Sequence, residues 1–279
     1  MVMKVAGSML TGGLFRQPFE ALPRKPAFSS TGTVLIEPIA VANVSAHFQK
    51  MRTTTELETS LELLEQGSAR CTTVVDFVRL VQTYRGKGHY EKIAAAQINA
   101  EITGLMNRLL KENIRYAAEI GTMHGGTLFL LTRVALEDAT IISIDLPGGP
   151  FGGGYSAERV PFYEGFARGN QQVVCIRKDS KRIEAQVALE KTLKENYLDY
   201  LFIDGDHSYE GVKYDFETYK RYVRKGGLIA FHDILGAHPK RVELGVKMLW
   251  AEIKQKYPRR AEYVQDYKRG YAGIGVLRV

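Results

Sequence analysis

Between residues 115 and 232 the chain repeatedly alternates short apolar runs with helical stretches, and that alternation restricts the fold more than any other feature. The runs are Arg115 to Ile120, Thr140 to Asp145, Gln172 to Arg177, Asp199 to Asp204 and Leu228 to His232. Short, largely apolar strands are what a sheet covered on both faces requires, and helical connections between them make such a sheet parallel. The intervening helical candidates are Gly126 to Glu137, Ser156 to Arg168, Arg182 to Asn196 and Tyr209 to Val223, with Arg241 to Lys256 after the fifth run. Two further β-like runs, Glu262 to Tyr267 and Ala272 to Arg278, are joined only by Lys268 to Tyr271 and predict an antiparallel hairpin. The expected architecture is therefore α/β, a Rossmann-like seven-stranded mostly parallel sheet with an antiparallel carboxyl-terminal hairpin.

Ahead of this pattern the chain reads differently. Residues 1 to about 54 carry Pro18, Pro23, Pro26 and Pro38 and one strand-like run, Thr33 to Ile36, and read as an extended arm. Leu57, Leu61 and Leu64 then share a helical face that stops at Gly67, Cys71 to Tyr84 forms a second helix, and Tyr90 to Leu110 a longer amphipathic one. The division expected is an arm and helical cap over 1–112, making substrate or oligomer contacts, and a main domain over 113–279. At 279 residues with 45% apolar side chains, the chain is long enough for that plan and unlike a disordered one. The two cysteines, Cys71 and Cys175, make no disulfide framework and suit a reducing cytoplasm. Gly7, Ser8, Gly12 and Gly13 interrupt the amino-terminal apolar residues, so no signal peptide or membrane span is expected. The balance of 38 Lys plus Arg against 31 Asp plus Glu is basic, yet acids are mixed among the bases and no nucleic-acid partner is expected.

The chemistry-bearing residues collect at the ends of the proposed strands. The first strand runs into Glu119-Ile-Gly-Thr-Met-His-Gly-Gly-Thr127, where Gly121, Gly125 and Gly126 form a turn that opens a helix and lets a ligand approach the backbone. Asp145 ends the second strand, placed to accept ribose hydroxyls. The third ends in Lys178-Asp179-Ser180, where Asp179 reads as an acceptor for an adenine amino group or, equally, Asp179 or Ser180 reads as the cap of the helix at Arg182. The turn is not the Gly-x-Gly-x-x-Gly that seats a dinucleotide pyrophosphate, which counts against a nicotinamide-dependent oxidoreductase.

These residues resemble class I S-adenosylmethionine-dependent methyltransferases, in particular the small-molecule branch with cephalosporin-hydroxylase-like and macrocin-type O-methyltransferases. The resemblance spans about 114 to 279. It rests on Glu119 to Thr127, on Ser143-Ile-Asp145, on Asp204-Gly-Asp-His-Ser-Tyr-Glu210 and on Gly226-Gly-Leu-Ile-Ala-Phe-His-Asp233. It implies that Glu119 and the turn Gly121, Thr122, Met123, His124 and Gly125 hold the methionine portion of the cofactor. It implies further that Asp145 holds the ribose, that Asp179 lies near the adenine and that Asp204 borders the cofactor. The terminal hairpin is what that fold implies for its sixth and seventh strands.

Strands four and five bring Asp204, Asp206, His207, His232 and Asp233 to one crevice. Two uses are open. A divalent metal on Asp204, His232 and Asp233, Mg²⁺ or Mn²⁺, would orient an acceptor hydroxyl and lower its pKa. Alternatively His207, with Asp204 beside it and a pKa near neutrality, takes the hydroxyl proton as a general base. Asp206 and His207 also read as caps of the helix starting at Ser208. The glycine cluster 148–154, with Phe151, Tyr155 and Arg159, reads as a lid over the acceptor or as a solvated loop. The expected activity is methyl transfer to a small-molecule hydroxyl, with a homodimer plausible for a chain carrying such an arm. The rivals are an oxidoreductase, a metal-dependent oxygenase or hydrolase on the Asp/His cluster, and a nonenzymatic partner protein of the same fold.

Overall fold

The computed structural model describes residues 39–148, 153–236 and 245–279, with side chains from residue 51 onward. The strand-like run Thr33 to Ile36, the prolines of the arm, Phe151 with the centre of the glycine cluster, and residues 241–244 of the last helical candidate lie outside the described residues. Residues 45–279 form one compact unit. Among the described residues, no helix is long and apolar enough to cross a membrane.

Three helices precede the sheet: α1 Ile39–Ser68, α2 Val74–Thr83 and α3 Asn99–Leu109. Helix α1 begins well before the apolar face at Leu57, because Thr53 to Thr55, poor helix formers, mask its continuation in the sequence. Helix α2 starts at a capping box, with Thr73 Oγ1 accepting from Asp76 N and the Asp76 carboxylate accepting from Thr73 N. The expected helix over Tyr90 to Leu110 forms only from Asn99. The run before it is irregular and buries Ile93, Ala95 and Gln97 at alternate positions, a two-residue period rather than a helical one.

The main unit follows as β1 Tyr116–Ile120, α4 Gly126–Val134, β2 Thr140–Asp145, α5 Val160–Glu164, β3 Gln172–Arg177, α6 Ile183–Leu193, β4 Leu198–Ile203, α7 Tyr209–Tyr219, β5 Val223–His232, α8 Gly245–Lys256, β6 Arg260–Tyr263 and β7 Ile274–Arg278. The seven strands form one sheet in the order β3-β2-β1-β4-β5-β7-β6. The first five are parallel, whereas β7 runs antiparallel to both β5 and β6. The hairpin therefore forms as the sequence predicts, although its connection is longer than Lys268 to Tyr271 and contains a 3₁₀ turn at Tyr267–Arg269.

Alternate strand residues serve two cores. Ala117, Tyr200, Phe202, Leu228 and Ala230 pack with α2, α3, α4 and α5 on one face. Ala118, Ile120, Leu201, Ile203 and Ile229 pack with α6, α7 and α8 on the other. Burial on both sides is why the strands read as apolar runs. Trp250 of α8 fits against Gly275 of β7, where a Cβ would lie 2.6 Å from the indole ring.

Helix α3 is bound to the far end of the sheet by one buried side chain. The Glu101 carboxylate, 2% exposed, accepts from Gln265 N and from Gly273 N, each at 3.0 Å, on either side of the β6–β7 connection. Ala272 and Gly273 in turn hold the turn after β5, through Leu235 N to Ala272 O at 2.9 Å and Ala272 N to Gly236 O at 2.9 Å.

Candidate active site

The connection after β1 goes to one side of the sheet and that after β4 to the other, so a crevice opens between their carboxyl ends. Asp204 N donates to Ile120 O at 2.8 Å, closing the two strand ends together. Gly121 is required there: its φ is +92°, and a Cβ would lie 2.2 Å from Asp204 O. Gly126 is required for a different reason than ligand approach, since a Cβ there would meet Ile93 O and Ala95 N, each at 2.4 Å. The run before α3 thus lies across the start of α4.

Asp145 shapes the glycine turn. Its Oδ2 accepts from Thr122 N and Met123 N, both at 2.8 Å, and its Oδ1 from Leu146 N at 2.8 Å. A carboxylate has about four acceptor positions, so roughly one remains for a ligand hydroxyl. Burial pushes its pKa up, against the backbone hydrogen bonds. Met123 sits at φ +49°, an uncommon conformation for a non-glycine residue. Tyr163 OH donates to Met123 O at 2.6 Å, and Arg159 donates to Tyr163 OH at 2.8 Å, to Lys92 O at 2.8 Å and to His124 O at 3.2 Å. Arg159, which the sequence reading left as a neighbour of the glycine cluster, therefore ties together the turn, α5 and the run before α3. His124 has its pKa lowered by burial and by Lys92 and Arg159.

Glu119 is fully buried on the α3 side of β1, and neither carboxyl oxygen makes a hydrogen bond of regular geometry, although the Thr122 and Thr127 hydroxyls lie close enough to favour its ionised form. Burial pushes its pKa up to about 8, against the opposing pull of the Thr122 and Thr127 hydroxyls. Asp179 lies in the turn before α6, where its Oδ1 accepts from Lys181 N at 2.9 Å. The N-cap of α6 is Arg182, so neither Asp179 nor Ser180 takes that position. Asp206 pairs with Lys181 and accepts from Ser208 N, while Ser208 caps α7, so the capping reading applies to Asp206 and Ser208.

His207 instead turns into the crevice. Its Nε2 is 3.4 Å from Asp204 Oδ1, and its Nδ1 is 3.0 Å from Asp233 Oδ2, an ion-pair contact without an aligned hydrogen bond. Burial would lower its pKa, but the two carboxylates raise it to about 10. This corrects the expectation of an imidazole titrating near neutrality: both ring nitrogens face carboxylates and the ring holds its proton. His232, 6% exposed, places Nδ1 3.1 Å from Asp204 Oδ1, while its Nε2 is buried without a partner. Burial opposes and Asp204 promotes its charged form, with a net upward shift. Burial alone would raise the Asp204 pKa, but His232 and His207 hold it well below the usual carboxylate range. Asp233 adopts φ +61° at the end of β5.

Asp204 has one more partner, which the sequence reading missed. Gln97 Nε2 donates to Asp204 Oδ2 at 2.6 Å. The only signal in the sequence was a polar residue at a buried phase of the two-residue period Ile93, Ala95, Gln97.

The expected metal site is not formed. Among the described residues, no group of three or more His, Cys, Asp or Glu side chains is arranged to hold a metal ion. The reason lies in the contacts of Asp204, His232 and Asp233: His207 is wedged between the two carboxylates, and His232 Nδ1 turns onto Asp204. Mg²⁺ or Mn²⁺ does not fit this donor set as arranged.

The model of a family of methyltransferase domains matches residues 118–234, from within β1 to the turn after β5. The likeness to a methyltransferase domain thus covers the first five strands of the sheet. The matched stretch holds the five parallel strands, and the antiparallel seventh strand inserted beside the fifth lies beyond it. An uncharacterized protein, R132, of Acanthamoeba polyphaga mimivirus is 35% identical over 132 residues, 47% of this chain and 57% of that protein. The chain thus spans little more than half the length of that curated relative. Among solved structures, the O-methyltransferase TomG from Streptomyces achromogenes, in complex with S-adenosylmethionine, is 16% identical over 75% of this chain and 91% of its own, with a TM-score of 0.47. An O-methyltransferase from Bacillus cereus, in complex with S-adenosylhomocysteine, is 14% identical over 80% of this chain and 100% of its own, with a TM-score of 0.46.

Proposed function

We propose that the protein transfers a methyl group from S-adenosylmethionine to a hydroxyl oxygen of a small molecule. The observation that carries this reading is the junction of the β1 glycine turn with the buried Asp204, His207, His232 and Asp233 cluster at the ends of β4 and β5. The residues present suit the cofactor. Glu119 is a buried carboxyl lacking a hydrogen bond of regular geometry, which a cationic amino acid end would supply, and Asp145 keeps an acceptor position for ribose. Glu119, Gly121, Thr122, Met123, His124, Gly125 and Asp204 would border the methionine portion, Asp145 the ribose and Asp179 the adenine. Bound there, the cofactor supplies a methyl group on a sulfonium, already activated toward a nucleophile.

The chain's own groups supply position and proton transfer. Asp204, anchored by Gln97, stays ionised and holds His232 through Nδ1, the base-and-orienter arrangement; in its neutral form His232 has Nε2 free to take a proton from the acceptor hydroxyl, and its upward-shifted pKa makes it the stronger base in that form. His207 keeps its proton between Asp204 and Asp233 and fixes their geometry. The base role expected of His207 thus passes to His232 in this reading. The paired acid and imidazole favour oxygen over an amine acceptor, which needs less help in losing a proton. The region before Asn113 is assigned to acceptor and homodimer contacts, the latter supported by the exposed Met51, Leu63 and Val75 of α1 and α2. Free Cys71 and Cys175 support a cytoplasmic setting, and the mixed surface charge supports a small molecule over nucleic acid.

The test is calorimetric titration of the purified protein with S-adenosylhomocysteine, with NAD⁺ in parallel. One-to-one binding of S-adenosylhomocysteine alone is expected. Binding of NAD⁺ in its place, or of neither by a folded protein, overturns the reading.

A further inference from the structure

Gln97 lies outside the matched stretch 118–234, yet its side chain ends in the site. Its two polar atoms are in opposite situations. Nε2 donates to Asp204 Oδ2 at 2.6 Å, whereas Oε1 is buried and has no hydrogen-bond partner. The residue is 4% exposed. Both carboxyl oxygens of Glu119, at 0% exposure, likewise make no hydrogen bond of regular geometry.

These three acceptors face one side of the sheet. Glu119 follows the alternation of Ala117, which packs in the core beneath α3, and Asp204 follows that of Tyr200 and Phe202 in the same core. Strands β1 and β4 are paired, with Glu119 opposite Phe202 and Asp204 N bonded to Ile120 O at 2.8 Å. Gln97 reaches the same strand ends from the run that leads into α3. Buried polar groups without partners are rare in native folds, and where they gather, a missing ligand is a physical explanation. With Glu119 ionised, the group complementary to these three acceptors is one rich in donors, without acceptors and positively charged, and its charge is what would draw the proton off that carboxyl. An ammonium carries three donors and no acceptor, whereas a hydroxyl offers one donor only.

We propose that Gln97 Oε1, together with the Glu119 carboxylate, receives the α-ammonium of the cofactor's methionine portion, so that one side chain both holds Asp204 and binds the cofactor. This assignment rests on the S-adenosylmethionine reading above.

The experiment is a two-by-two cycle read by calorimetry. Wild type and Gln97→Met are each titrated with S-adenosylhomocysteine and with its deamino analogue, in which hydrogen replaces the amino group. Thermal unfolding and binding of 5′-methylthioadenosine report whether the variant is folded with its adenosine subsite intact. Gln97→Met is expected to weaken S-adenosylhomocysteine by about tenfold or more, and that penalty is expected to vanish with the deamino analogue. An equal penalty for both ligands means that Gln97 acts only by supporting Asp204, and overturns the proposal. Wild-type affinity that ignores loss of the amino group overturns it without any variant. If Gln97→Met does not fold, Gln97→Asn, which withdraws the amide by one methylene, takes its place in the cycle. Failure of wild type to bind S-adenosylhomocysteine removes the functional reading and this proposal together; a missing coupling in a protein that binds it removes the Gln97 assignment alone.

Discussion

Gln97 Nε2 donates to Asp204 Oδ2 across 2.6 Å, joining residues 107 positions apart. The bond joins the run before α3 to the end of β4, so the segment ahead of the sheet is part of the site wall. It also fixes one oxygen of Asp204 while His232 and His207 approach the other.

Glu119 makes stability depend on pH with a definite sign. Its folded pKa, about 8, lies above the unfolded value near 4.5, so the folded state holds the proton longer and stability falls as pH rises between those values. The slope from this one carboxyl is about 1.4 kcal/mol per pH unit. Glu119→Gln is expected to flatten the fall between pH 5 and 8 in denaturant melts, and an unchanged slope would count against the buried neutral carboxyl.

The same carboxyl links cofactor binding to protons. An ammonium beside Glu119 favours its ionised form, so S-adenosylhomocysteine should release a proton from the protein at pH 7. Titration in buffers of different ionisation enthalpy measures that number directly. It should approach one in wild type and drop toward zero in Glu119→Gln.

The two histidines should separate by what they affect. With an acceptor found by screening labelled methyl transfer, His232→Ala is expected to lower kcat by roughly 100-fold or more and leave S-adenosylhomocysteine affinity nearly unchanged. His207→Ala removes the cation between Asp204 and Asp233, and should lower thermal stability as well as turnover. Equal loss of cofactor binding in both would remove His232 from the proton-transfer role.

Gly126→Ala should be among the most disruptive single-methyl additions in the chain. The new Cβ would meet Ile93 O and Ala95 N at 2.4 Å, both backbone atoms that no rotamer change can move aside. A loss of about 1–3 kcal/mol is expected in chemical denaturation.

Exhaustive chelation should leave methyl transfer undiminished, because His207 and His232 already occupy the carboxylate oxygens a metal would need. Activity lost on chelation and restored by Mg²⁺ or Mn²⁺ would show that the cluster rearranges to bind metal.

The strands were legible because burial on both faces leaves an unambiguous apolar signature, and Ile141, Ile142 and Ile144 of β2 are all 0% exposed. The strand-end residues Glu119, Asp145, Asp204 and His232 could be listed from the sequence for the same reason. What the sequence concealed was direction. Nothing in Asp-Gly-Asp-His indicates that Asp206 turns back to Ser208 while His207 turns inward between two carboxylates. The run from Glu91 to Ile98 was misread as helix because its apolar residues and the true helix α3 share one continuous amphipathic stretch.

The Glu101 clamp has a kinetic consequence. Its carboxylate receives Gln265 N and Gly273 N across sequence separations of 164 and 172 residues, and the Ala272–Gly273 turn then secures the backbone after Asp233. Contacts of such separation carry a large loop-closure entropy and form late. The sheet can therefore assemble from its parallel strands while the turn carrying Asp233 is still unfastened, and a chain trapped at that stage would have native-like secondary structure but no competent site.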